Sequence, residues 1–173
     1  MIVVALALSL LSSSPSASTL AAVAVFAANA DRTWPVDDRE PAVTAEALRL
    51  LEVAGKSLAD DWGVNAGDVR KSITAFASAR AALEKQARGE EDRPRYAREA
   101  IIKGAAMIAE LAGAASLDDS TTRQKLSDLK KAAEDLDRKK QVREQGAVLE
   151  KYFKQAAALM RELVEAPEPG GKD

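Results

Sequence analysis

The 173-residue chain contains no cysteine and no histidine. Their absence removes thiol nucleophiles, Cys/His zinc sites, His-ligated haem, Ser-His-Asp triads and imidazole acid–base catalysis. It also leaves the redox compartment unread, because an oxidising space permits disulfides without requiring them. Aromatic residues make up only 4% of the chain, residues that build strands are few, and no part reads as a sheet. Neither sign of charge dominates. The 25 basic and 27 acidic side chains leave a net charge of −2, too little for a global field that would draw the chain to nucleic acid or to an anionic membrane. Charged recognition must therefore be local. There is no glycine-rich phosphate loop and no nucleophile elbow. The acidic group Glu134, Asp135 and Asp137 lacks the glycine-containing loop of an EF-hand and, without histidine, no Glu-x-x-His di-metal set exists. No metal, cofactor or catalytic residue is assigned.

Charge is also missing from one place in particular: residues 1–30 carry none. That stretch holds two apolar runs, 2–11 and 20–28, separated by a serine-rich break, and it ends in Ala28-Asn29-Ala30 before Asp31. Small residues at those positions match the pattern an export peptidase cuts, so residues 1–30 read as a targeting segment. A retained membrane anchor is the second reading, although neither run reaches the ~20 residues a spanning helix needs. Residues 31–43 hold Pro35 and Pro41 among polar neighbours and show no period, which predicts an extended arm. Trp34 within it has two readings, an exposed docking anchor or a ring packed back on its own bundle.

What is abundant is Ala, Leu, Lys, Glu and Arg, the composition of helices. The apolar period predicts an all-α, up-and-down four-helix-bundle-like fold with four or five helical segments, at about 44–61, 68–88, 94–115, 120–140 and 147–165. Their seams are Leu48, Leu51, Gly55, Leu58 and Trp62; then Val69, Ile73, Phe76, Leu83 and Ala87, with Arg80 interrupting and snorkelling; then Ala97, Ile101, Ala105, Ile108, Leu111 and Ala115. Asp68 is placed as an N-cap and Gly89 as a helix stop. The tail, residues 167–173, is expected to be disordered.

Residues 120–166 pose a problem of register. Leu126, Leu129, Ala133 and Leu136 form one stripe, and Leu149, Phe153, Ala156, Met160 and Leu163 another, and the two do not align. Either one long helix stutters between Gln141 and Gly146, or the chain turns back there. Arg138, Lys139, Lys140 and Arg143 beside the break are the densest basic cluster, suited to docking an acidic partner.

The run Glu134-Asp135-Leu136-Asp137, the basic cluster, and Glu150-Lys151-Tyr152-Phe153 followed by the stripe from Ala156 to Leu163 resemble the C-terminal half of the PsbQ-like extrinsic proteins of photosystem II. In that family an acidic helix end, a short connection and an EKYY-type start lead into the last helix of a four-helix bundle. Upstream, Trp62 followed by Asp68-Val69-Arg70 is similar to the family's Trp and Leu-Arg at the same spacing. Between residues 70 and 137 this chain is longer than the family pattern by about one helix. The resemblance implies a non-catalytic subunit in the thylakoid lumen, peripheral to the membrane. It would dock on the photosystem II core and its other extrinsic subunits, binding no cofactor or ion itself. Trp34 and Arg138, Lys139, Lys140 and Arg143 would be its contact residues. The residues alone allow a second reading, a periplasmic or secreted bacterial adaptor whose Ala-rich seam or an exposed groove receives a partner helix.

Overall fold

The computed structural model describes residues 15–32, 34, 40–86 and 91–166. Residues 1–14 of the expected targeting segment, 33 and 35–39 of the arm, 87–90 with the stop at Gly89, and the tail 167–173 lie outside the described residues. Among the described residues the chain is helical, without a strand. Its helices are α1 (Ala17–Ala30), α2 (Glu40–Asp61), α3 (Gly67–Gln86), α4 (Arg93–Ala114), α5 (Ser120–Glu134) and α6 (Gly146–Glu165), with a 3-10 turn at Val142–Gln145 before α6. None of these helices is long and apolar enough to cross a membrane.

Five of the six follow the seams in the sequence, and their seam residues are buried: Leu48, Leu51 and Leu58 on α2, Phe76 and Leu83 on α3, Ile101, Ile108 and Leu111 on α4, Leu129 on α5, and Leu149, Phe153, Met160 and Leu163 on α6. Each such side chain contributes about 1.5–3 kcal/mol by leaving water. The sixth is α1, so the count exceeds the four or five expected. Ser16 caps it by accepting the Thr19 N–H at 3.3 Å, and the Ser16 N–H donates to the Asp61 carboxylate at 2.6 Å. Val23, Phe26, Ala27 and Ala30 of α1 are buried. The Thr19 and Ser57 hydroxyls lie 2.6 Å apart, and Arg161 donates to Asp31 at 2.7 Å, so α1 straddles α2 and α6.

Three boundaries differ from expectation. α2 begins at Glu40 rather than at 44, because Pro41 falls in the first turn, where a missing N–H costs nothing. Asp68 lies inside the first turn of α3, not before it, and there it pairs with Lys71 at 2.9 Å. α5 stops at Glu134 instead of 140, and Gly146 opens α6 with a helical φ of −52°. The chain therefore turns back, which accounts for the two stripes being out of register. Asp119 caps α5, accepting the N–H groups of Thr121 at 2.8 Å and Thr122 at 3.0 Å.

Polar groups are kept near the core where partners exist. Arg80 does not snorkel. Its Nε donates to Glu52 at 2.5 Å, and its guanidinium also pairs with Glu84, while Lys56 donates to the other Glu52 oxygen at 2.5 Å. Burial pushes the Glu52 carboxyl up, but the bonds from Lys56 and Arg80 outweigh it and hold it below its ordinary value. α4 packs closely on its neighbours because of Gly104. A Cβ at that position would lie 2.6 Å from the Tyr152 hydroxyl and 3.3 Å from the Phe76 ring. The Tyr152 hydroxyl is fully buried with no hydrogen-bond partner, and burial raises its pKa far above the ordinary phenol value.

Candidate docking surface

The connection from α5 to α6 is built around one side chain. Gln145, buried, accepts the Asp137 N–H on its carbonyl oxygen at 2.6 Å, and its amide donates to the carbonyls of Asp137 at 2.9 Å and Lys140 at 3.0 Å. Leu136 and Val142 sit beneath it in the core. The Asp137 carboxylate takes the Lys139 N–H at 2.8 Å, tightening the turn. With both its ends pinned, the loop presents Arg138, Lys139 and Lys140 to solvent, and Arg143 half-buried on the 3-10 turn. The basic cluster is thus a loop held by a buried glutamine, not a helix face.

The first turns of α4 add cations that the sequence reading did not gather. Arg95, Arg98 and Lys103 line a depression of about 330 Å³ together with Arg138. Arg98 and Arg138 also border a second, of about 350 Å³, with Glu134 and Asp137. Arg98 reaches the Glu134 carbonyl at 3.5 Å, and the Arg95 guanidinium lies 4.9 Å from the Tyr96 ring centroid. A signal for these residues was present in the sequence. Cations near a helix N-terminus oppose the helix dipole, which favours acidic groups there, yet the first turn of α4 holds no acid and starts Arg-Pro-Arg. That cost is offset in part locally, by Asp92 at the N-cap, the Glu134 carbonyl and the Tyr96 ring.

From this basic end an apolar groove of about 480 Å³ runs between α4 and α5. Ile102, Ala105, Ala106 and Ala109 form one wall, Leu126 and Ala133 the other, and Glu110, Lys130 and Glu134 stand at the rim. Ile102 and Glu134 also border the basic depressions, so the two parts make one continuous surface. A floor of alanines with a cationic end has the form that receives an amphipathic segment carrying acidic residues at one end. It offers no nucleophile paired with a base. Among the described residues, no group of three or more His, Cys, Asp or Glu is placed to hold a metal ion.

Trp34 is not part of this surface. Its ring is 4% exposed and stacks on Phe153, with centroids 4.4 Å apart and planes 7° apart. The first of its two readings, an exposed anchor, gives way to the second, because α6 supplies an aromatic face that the arm can reach. Compared with protein-family models, curated proteins and solved structures, the chain matches none.

Proposed function

We propose that this chain is a non-catalytic docking protein whose working surface is the α4–α5 groove with its basic end. The observation that carries the proposal is the continuity of an alanine-floored groove with the cations of two separate segments, Arg95, Arg98 and Lys103 from α4 and Arg138 from the α5–α6 loop. Interfaces of this kind draw affinity from the apolar floor, and speed and orientation from the charges.

The more specific form is an extrinsic subunit on the oxygen-evolving side of photosystem II, in the thylakoid lumen. Its support is the resemblance together with the position of the α5–α6 turn, which falls between the acidic helix end at Glu134 and the Glu150-Lys151-Tyr152-Phe153 start, where that family makes its last connection. In this form the four up-and-down helices of the family are drawn from α2 to α6, and α1 is an addition. The other form, a secreted or periplasmic adaptor, rests on the groove alone. One experiment separates them. Purified chain is added back to salt-washed photosystem II membranes, beside a variant with Arg138, Lys139, Lys140 and Arg143 changed to Glu. The photosystem form requires rebinding that salt reverses and that the variant lacks. A wild-type chain that stays in the supernatant eliminates that form, and an unaffected variant eliminates the basic end as the contact.

A further inference from the structure

Four cations and one carboxylate meet at the basic end of the groove. Arg95, Arg98, Glu99, Ile102 and Lys103 recur at helical spacing on one stripe of α4, and Arg138 joins them from the α5–α6 loop to line the depression of about 330 Å³. Among the described residues, none of the four cations has a carboxylate oxygen within 4.0 Å, whereas Arg49, Arg80 and Arg161 each do. Arg95 donates to the Tyr96 hydroxyl at 3.1 Å and Arg98 to the Glu134 carbonyl at 3.5 Å. Both guanidiniums are thus steadied by neutral groups that take few of their five N–H donors. Arg138 stands on a loop already fixed from within, by the Gln145 amide on the carbonyls of Asp137 and Lys140.

The number of arginines selects the ligand. A carboxylate offers two oxygens in one plane and a single charge, which suits one forked guanidinium. A phosphate monoester offers three terminal oxygens and a charge of about −1.5 to −2 at pH 7, so it takes donors from several cations at once. Glu99, with Glu134 and Asp137 beside the adjoining depression, works against a broad anionic face such as a charged bilayer, which would meet all three. A compact anion seated among the guanidiniums is opposed less. Ile102 lines both the depression and the apolar groove, a wall for the organic part of an ester. We propose that the basic end of the groove is a binding site for a soluble phosphate monoester, its oxygens taken by Arg95, Arg98 and Arg138 with Lys103 beside them. The inference rests on the basic end of the docking proposal and names the ligand of that end.

Calorimetric titration of the full chain with phenyl phosphate, at about 0.15 M chloride, tests it. Binding is expected to saturate at one site and to be weaker for phenyl sulfate, which carries a single charge on the same number of terminal oxygens. Arg98→Gln/Arg138→Gln weakens it at least about tenfold, while Arg123→Gln in the first turn of α5 leaves it unchanged. Arg98 touches the end of α5; where circular dichroism or the unfolding midpoint of the double variant departs from wild type, Arg95→Gln/Lys103→Gln, both exposed, is read in its place, with the same loss expected. A titration that does not saturate overturns the inference, as does equal affinity for phenyl sulfate or an undiminished affinity in the double variant. A chain that floats with phosphatidic acid vesicles yet ignores phenyl phosphate also overturns it, because the cations then answer to a charged surface. The docking proposal is read separately, from rebinding to membranes, so neither failure is mistaken for the other.

Discussion

α4 turns Ala97, Ala100, Gly104 and Ala105 toward neighbours that supply bulk, among them Phe76, Tyr152 and Leu51, so its small side chains become a means of close approach. α1 is richer still in alanine, but only Thr19, Val23, Phe26, Ala27 and Ala30 are buried, and Ala21, Ala24 and Ala28 are exposed with Leu20 and Val25. The same composition packs a core in one helix and leaves hydrocarbon exposed in the other. What decides is whether another helix stands opposite, which composition does not report. α2 lies between the two regimes, touching α1 as well as α3 and α4.

The comparison is broken most severely by starting the chain at Asp31. Removing α1 gives up the burial of Phe26, Val23 and two alanines and uncovers apolar surface on α2 and α6, a loss of about 5 kcal/mol. That is comparable with the whole stability of many domains, about 5–15 kcal/mol. The truncated chain is expected to unfold at a much lower urea midpoint, with a smaller dependence on urea because less surface remains to be exposed. An unchanged midpoint would show that α1 adds nothing net, and would then fit removal of residues 1–30 as a targeting segment.

A pair of glycines sharpens the α4 side. A Cβ on Gly104 would sit 2.6 Å from the Tyr152 hydroxyl, and one on Gly55 of α2 would sit 2.6 Å from Met107 Cε. The distances agree, but the neighbours differ. Met107 has three side-chain torsions with which to retreat, whereas the Tyr152 ring is fully buried and held edge-on to Phe153 at 5.0 Å. Gly→Ala within a helix gains up to about 1 kcal/mol from propensity, and overpacking costs about 1–3 kcal/mol. Gly55→Ala is therefore expected to be neutral or slightly stabilising, and Gly104→Ala to destabilise by about 1–2 kcal/mol. In a Tyr152→Phe background the Gly104→Ala cost should shrink, and Tyr152→Phe alone should cost nothing, since the hydroxyl it removes has no partner. A double-mutant cycle by chemical denaturation with no coupling between positions 104 and 152 would contradict this geometry.

The helical segments and their seams were legible because a buried stripe repeats with the helix and needs no tertiary information. The end of α5 was not. Residues 135–140 are acceptable in a helix, and what stops it is the Gln145 side chain taking the backbone of Asp137 and Lys140, a contact made only after the chain has turned. α1 was readable as apolar, but an uncharged apolar run has the same appearance whether it is exported, inserted or packed. Of the candidate surface, the basic loop was visible as a run of charges. Its partners Arg95, Arg98 and Lys103 became neighbours only through the packing of α4 against the α5–α6 loop, and Trp34 was settled by Phe153, more than a hundred positions away in sequence.

The smallest expected effect lies on α2, where a charge is kept near the core. The folded-state pKa of Glu52 lies below its ordinary value of 4.5, so the ionised form favours folding. Its contribution is complete above the unfolded value and is lost as pH falls through the lower folded one. Glu52→Gln removes the charge but keeps the shape, and leaves Arg80, with only 18% of its side chain exposed, relying on Glu84. The variant is expected to lose about 1 kcal/mol at neutral pH, and the two stability curves should converge as pH drops below about 4.5. Asp119, whose carboxyl is held low mainly by the Thr122 hydroxyl, contributes an acid slope common to both proteins, so only the difference between the curves reports on Glu52. A difference that stayed constant with pH would mean that the glutamine side chain fails by packing and that the Arg80–Glu52–Lys56 network adds no electrostatic stability. α3 would then stabilise α2 through apolar burial rather than through Arg80.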